Sequence, residues 1–388
     1  MSCRIRESLP ALVALGLLAL PGCAGLRIPD SLRIDEHDWA FFGRTQTRTN
    51  ATDEILTPPL QLVWEQDITT GMGFGSPIVI DSIVIITNMK GELLALNANT
   101  GKKFGWVTLG DAMHGSPVIE NNIAYVAVTN SRESLVAFDL QQGKVLWKEE
   151  YGDIEVTPLL LRGKLYFGNT AGFFFCVEKE KGELEWKYRI PDNAKRKGIR
   201  SSATTDDSLI IFGAEDGSLY ALDAKYGSER WSYNTGAPVF ASPAVNNGLV
   251  LCGNADGLLV ALDAKTGALV WKFNAGTSIY ATPSFTQQLT LIGTTGGKLY
   301  ALRTNDGSMV WSREFNSVIN SSAVVSGNVA YFGTLKKELY AINVSDGSVV
   351  WSQTLEGRVK TSPAIAYGKL FVATDDKSLR AFAPIQSK

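Results

Sequence analysis

Eight side chains recur at one place in the sequence, each two residues ahead of a serine or threonine: Phe74, His114, Glu155, Arg200, Phe240, Tyr280, Asn320 and Lys360. Strands have a side-chain period of two, so this set and the hydroxyls behind it should point the same way. Gathered around one axis, the set offers two cations, a carboxylate, an imidazole, an amide and three aromatic rings. That combination suits a peptide or a small polar ligand at the mouth of a channel. The simpler alternative is a water-filled funnel whose charges satisfy one another.

A second candidate is the run Lys195, Arg196, Lys197 with Arg200, the one dense basic stretch in the chain. An exposed loop longer than its siblings is a natural contact for a partner; the alternative is a solvated insertion. No catalytic residues are expected, because HExxH and Gly-x-Ser-x-Gly are absent and the body beyond residue 60 holds one histidine, His114. Gly293 to Leu299 has the glycines and lysine of a phosphate loop but lacks its hydroxyl, and reads as a hairpin turn. No metal-ligand pattern stands out. A formal charge of −2 leaves no footprint for nucleic acid.

These residues must be positioned by a repeat. Tryptophans fall at Trp64, Trp106, Trp147, Trp186, Trp231, Trp271, Trp311 and Trp351, spaced by 42, 41, 39, 45, 40, 40 and 40 residues. A turn glycine precedes each of the last seven, from Gly101 to Gly347, and a small-residue strand such as Ala241-Ser-Pro243 opens most units. Small residues suit the crowded inner strands of radially arranged sheets, and tryptophan suits the wider outer part. The reading is an all-β, eight-bladed propeller of four-stranded antiparallel blades, with all eight tryptophans docking blade on blade. The chain opens on a tryptophan strand and ends after the three other strands of a blade, so the N-terminal strand should close the last blade.

Residues 1–22 read as a lipoprotein signal peptide, with Arg4 and Arg6 ahead of an apolar run from Leu9 to Leu20 that is too short to span a bilayer. Leu20-Pro-Gly-Cys23 resembles the bacterial lipobox, which implies acylation of Cys23; Ala24 follows in place of the aspartate associated with inner-membrane retention. Residues 23–60 then read as a polar, lipid-anchored tether in which Asp38 to Gly43 docks on the body, and residues 61–388 as the propeller. Beside the anchor, the remaining thiols, Cys176 and Cys252, sit in apolar strands and read as buried structural cysteines.

The segment from Ala261 to Trp271, Ala-Leu-Asp-Ala-Lys-Thr-Gly-Ala-Leu-Val-Trp, resembles the tryptophan-docking repeat of quinoprotein (PQQ) dehydrogenases and of BamB-like outer-membrane lipoproteins, and the likeness covers nearly the whole body. The enzyme branch implies a PQQ cofactor, calcium held by carboxylate and amide ligands, an aspartate base and a disulfide between adjacent cysteines. This chain has no Cys-Cys pair, and its units of 39 to 45 residues leave no room for the inserts that cover a cofactor. The BamB branch implies a scaffold without cofactor or chemistry of its own, on the periplasmic face of the outer membrane, assisting insertion of β-barrel proteins through BamA or another assembly component. In that branch partner contact uses loops on one face of the propeller. The comparable stretch here, Pro191 to Arg200, keeps the basic character without the leucines.

Overall fold

The middle strands of every unit are buried through their centres, whereas the outermost strands are largely exposed. In one unit Leu258–Asp263 is buried on both faces, while Leu269–Asn274 buries Trp271 and exposes its neighbours. That difference is what stacking of sheets face to face requires, since an outer strand touches a neighbour on one side only. The computed structural model describes residues 25–191 and 194–385, and no helix occurs among them.

Eight four-stranded antiparallel sheets follow in chain order as the blades of a propeller. Blades 1 to 7 occupy residues 78–108, 118–149, 159–189, 204–234, 244–274, 284–314 and 324–354. Blade 8 takes three strands from the C terminus and its outer strand from the N terminus: Leu60–Asp67 pairs with Ser378–Pro384 over its length. Closure is tied by Arg380, whose side chain is 4% exposed and bonds Glu65 at 2.8 Å, Asp376 at 2.7 Å and the Thr374 hydroxyl at 2.6 Å. Each third-to-fourth-strand turn uses the left-handed backbone that glycine favours: Gly267 has φ +71°, and Asp263 accepts the N–H groups of Lys265 and Thr266.

Residues 25–60 are bound to the propeller over more of their length than the expected docking of Asp38 to Gly43, because their apolar side chains and backbone groups find partners on it. Trp39 is fully buried and exchanges both backbone bonds with Val79. Asp38 accepts the Tyr367 hydroxyl at 2.6 Å. Nearer the axis, the carbonyls of Thr47, Thr49 and Asn50 accept N–H groups of Val245, Phe285 and Val325 on the inner strands of blades 5, 6 and 7. Ala51–Thr52 then runs parallel to Val324–Ser326 as a fifth strand of blade 7. The segment thus crosses one face from rim to axis and out again to blade 8.

Seven of the eight tryptophans sit opposite a small residue of their own blade, Trp271 against Ala261 and Trp186 against Cys176, for example. In six, the indole N–H donates to the carbonyl three residues before the next blade's turn glycine, as in Trp64 to Ala98 at 3.0 Å, Trp271 to Thr304 at 2.9 Å and Trp311 to Val344 at 2.8 Å. Trp147, Trp186 and Trp231 do the same with Lys179, Ala224 and Ala264. Trp351 faces blade 8, where the chain break leaves no such turn, and its ring meets Phe382 edge-on at 6.2 Å. Trp106 does not dock. Gly105 holds the position opposite Ala95, and Trp106, one residue further on, turns to the other side and is 47% exposed.

Candidate functional site

Successive strands run in opposite directions, so the link from an outer strand to the next blade and the second-to-third-strand turn lie on one face, and the remaining turns on the other. The eight residues from Phe74 to Lys360 all stand where those links enter the inner strands. They are brought together around the axis, lining a cavity of about 610 Å³ with the hydroxyls of Thr157, Ser202, Ser242, Thr282, Ser322 and Ser362 behind them. The hydroxyl row also stitches blades together: Ser116 Oγ accepts the N–H of Ser76 at 2.8 Å, and the pattern repeats from Ser116 to Thr157, Thr157 to Ser202 and Ser202 to Ser242. It continues from Thr282 to Ser322 and from Ser322 to Ser362.

At its far end the cavity meets the chain's own N-terminal segment. Phe42, from the N-terminal segment, forms part of its lining, and Arg48 lies over the Phe42 ring at 4.9 Å. Arg48 is 2% exposed and donates to the carbonyls of Ala203 at 2.7 Å and Phe42 at 3.1 Å; burial pushes its guanidinium down to about 9. This buried cation has no carboxylate partner among the described residues, so backbone carbonyls carry its solvation. Sequence reasoning missed both residues, since nothing local in a polar stretch reveals that it crosses an axis.

At the mouth most charges are committed. Arg200 pairs with Glu155 and with Glu215, the latter at 2.6 Å, and Lys360 shares Asp375 with Arg358 at 3.3 and 2.5 Å. Among the described residues Glu155 is the single carboxylate of the cavity wall. The aromatic groups are freer: Phe74 is 70% exposed and stacks on His114 at 5.8 Å, while Tyr280, 38% exposed, meets Phe240 at 5.7 Å. His114 Nδ1 and Asn320 Oδ1 are buried with no hydrogen-bond partner. Burial, reinforced by the nearby charge of Arg200, lowers the His114 imidazole below its ordinary value.

Lys195, Arg196 and Lys197 lie in the link between blades 3 and 4, on the same face as the mouth. Lys195 and Arg196 are exposed and border a second hollow with Glu215 and Tyr220. Cys176 and Cys252 are buried free thiols, that of Cys176 pushed up to about 12 by burial. Cys23 lies outside the described residues.

An eight-bladed propeller of docked-tryptophan repeats, closed on one face and open on the other through an aromatic and cationic mouth, is the class that these observations define. The chain belongs to the family described as "Outer membrane protein assembly factor BamB", which matches residues 60–201, 176–323 and 307–385. Relatives include the BamB of Legionella pneumophila (strain Paris), 26% identical over 182 residues that make up 44% of this chain and 46% of that protein. The dehydrogenase subunit of a quinone alcohol dehydrogenase from Gluconobacter oxydans (strain 621H) is 32% identical over 209 residues, 45% of this chain and 27% of the subunit. The matches thus span under half the length of these relatives. Among solved structures, BamB from Moraxella catarrhalis superposes with a TM-score of 0.71 at 16% identity, covering 84% of this chain and 99% of that one. A quinohemoprotein alcohol dehydrogenase from Pseudomonas putida HK5 gives 0.76 at 14% identity, covering 91% and 82%. At such identities the structures share the fold.

Proposed function

We propose that the protein is a non-catalytic, protein-binding scaffold, held by a lipidated Cys23 on the periplasmic face of the outer membrane, that assists the assembly of β-barrel proteins. The observation that carries this reading is the open face. Phe74 and Tyr280 present apolar surface at the mouth and Lys195 and Arg196 are exposed elsewhere on the same face, while the opposite face is occupied by the chain's own N-terminal segment. A face that combines exposed aromatics with exposed basic groups has the composition of a partner-binding surface. The partner is BamA or another assembly component, as the family suggests.

A second reading, a quinone-dependent alcohol dehydrogenase, draws on the 32% match to the Gluconobacter subunit. The donor set of the cavity does not suit it. Calcium wants six to eight converging oxygens, yet the wall offers one carboxylate, and that is paired with Arg200. Among the described residues no three of His, Cys, Asp and Glu converge to hold a metal.

The test is a crosslinked pull-down of the lipidated protein from its native membranes, with mass spectrometry of what is captured and an absorbance check for bound quinone. BamA or a companion should be recovered, and Lys195→Glu with Arg196→Glu should abolish the capture. Quinone and calcium recovered without assembly partners would replace the scaffold by the dehydrogenase.

A further inference from the structure

Blade 1 lacks its docking tryptophan, yet the gap it faces is filled. In six blade pairs an indole lies against the next turn glycine, so that a Cβ at Gly227 or Gly267 would fall 2.5 or 2.6 Å from the ring. At Gly143, the equivalent turn of blade 2, the neighbours are instead Arg27 Cγ at 2.7 Å and the Leu26 carbonyl at 2.9 Å. The acceptor that an indole would take there, three residues before the glycine, is the Leu140 carbonyl, and the Ile28 N–H donates to it at 2.9 Å. Leu26 and Ile28 are 0% and 2% exposed and join the core shared by blades 1 and 2. Asn122 Oδ1 accepts the Leu32 N–H at 2.6 Å. A peptide of the chain itself supplies both the apolar bulk and the hydrogen-bond donor of the missing indole.

We propose that Leu26 to Ile28 is a clamp that fixes where the leader leaves the body, at the outer edge between blades 1 and 2 on the closed face, so that this corner is the part of the propeller turned to the lipid surface. The orientation rests on the reading that Cys23 carries lipid; the clamp does not. With the clamp in place, two residues, Ala24 and Gly25, lie between Cys23 and Leu26, a reach of about 10 Å, against about 130 Å if the stretch to Leu60 were free. A propeller so held cannot roam over its anchor, and its open mouth faces away from the side that carries the leader.

The clamp is tested in the full-length protein by trypsin cleavage at Arg27 and by exchange of the Ile28 amide. Leu26→Ser combined with Ile28→Ser removes both buried apolar side chains while keeping a cleavable bond after Arg27 and an amide at position 28, and should speed both by about tenfold or more. Unchanged rates in a variant that still gives the wild-type far-ultraviolet spectrum would overturn the clamp. For orientation, the lipidated protein is placed on phosphatidylethanolamine and phosphatidylglycerol vesicles with an environment-sensitive fluorophore at Gln142→Cys, in the blade 2 turn, or at Asn305→Cys, in the corresponding turn of blade 6 across the ring. The expected result is a blue shift at position 142 alone, lost in the clamp variant while vesicle binding persists. Equal signals at both positions would refute the orientation. Failure of the wild type to bind vesicles would sink the lipid reading and the orientation with it, leaving the clamp to the proteolysis result.

Discussion

His114 shows how little a side chain's identity says before its neighbours are known. Its ring stacks on Phe74, its Nδ1 has no partner, and burial with Arg200 nearby lowers its affinity for a proton. As pH falls through about 6.5, the ordinary histidine value, the unfolded chain takes up a proton that the folded one refuses, so stability drops with falling pH and is fully present above that value. The melting temperature of the wild type should therefore fall more steeply between pH 7.5 and 5.5 than that of His114→Gln; parallel profiles would refute the assignment. The position of His114 was legible in the sequence, because it needed only the two-residue offset from Ser116. Its pairing with Phe74 and its lack of a bonding partner were not, since they depend on how the entries of the adjacent blades 1 and 2 are set against each other.

At the level of the strand, a tryptophan's contribution is set by register. Trp271 is 7% exposed and its indole bonds Thr304 across the blade gap, whereas Trp106 is 47% exposed on a face that no neighbour covers in that way. Trp271→Ala should destabilise by about 3 kcal/mol through the cavity left between blades, and Trp106→Ala by no more than about 0.5 kcal/mol, read as shifts in urea midpoint. Comparable shifts would mean that Trp106 docks after all. The number and order of blades followed from periodicity, and the closing strand from counting. The exception was missed, although a signal for it was present: the turn glycine precedes its tryptophan by four residues in six units but by five from Gly101 to Trp106, and one residue inverts a strand's faces. What fills the vacancy was not visible, since Leu26 and Ile28 lie more than a hundred residues from Leu140 and follow no repeat.

For the molecule as a whole, the circle is closed by hydrogen bonds and charge instead of by a peptide link. Burial pushes the Asp376 carboxyl up, but bonds from Arg380 and Thr374 outweigh it and hold it below the usual carboxylate range. Arg380→Met should cost about 3 kcal/mol by stranding Asp376. The difference from wild type should persist at neutral pH and shrink as acid protonates Asp376, a convergence that denaturation at pH 7 and pH 3 would reveal; a constant gap would point to lost packing alone. The same closure has a consequence in time. The strand Leu60–Asp67 is made early and its partner Ser378–Pro384 late, so through most of synthesis the chain carries a bare edge whose backbone groups await residues not yet delivered. A nascent chain of this kind depends on an escort until its final strand arrives, and any product cut short before residue 378 keeps an adhesive edge that a chaperone or a protease must find.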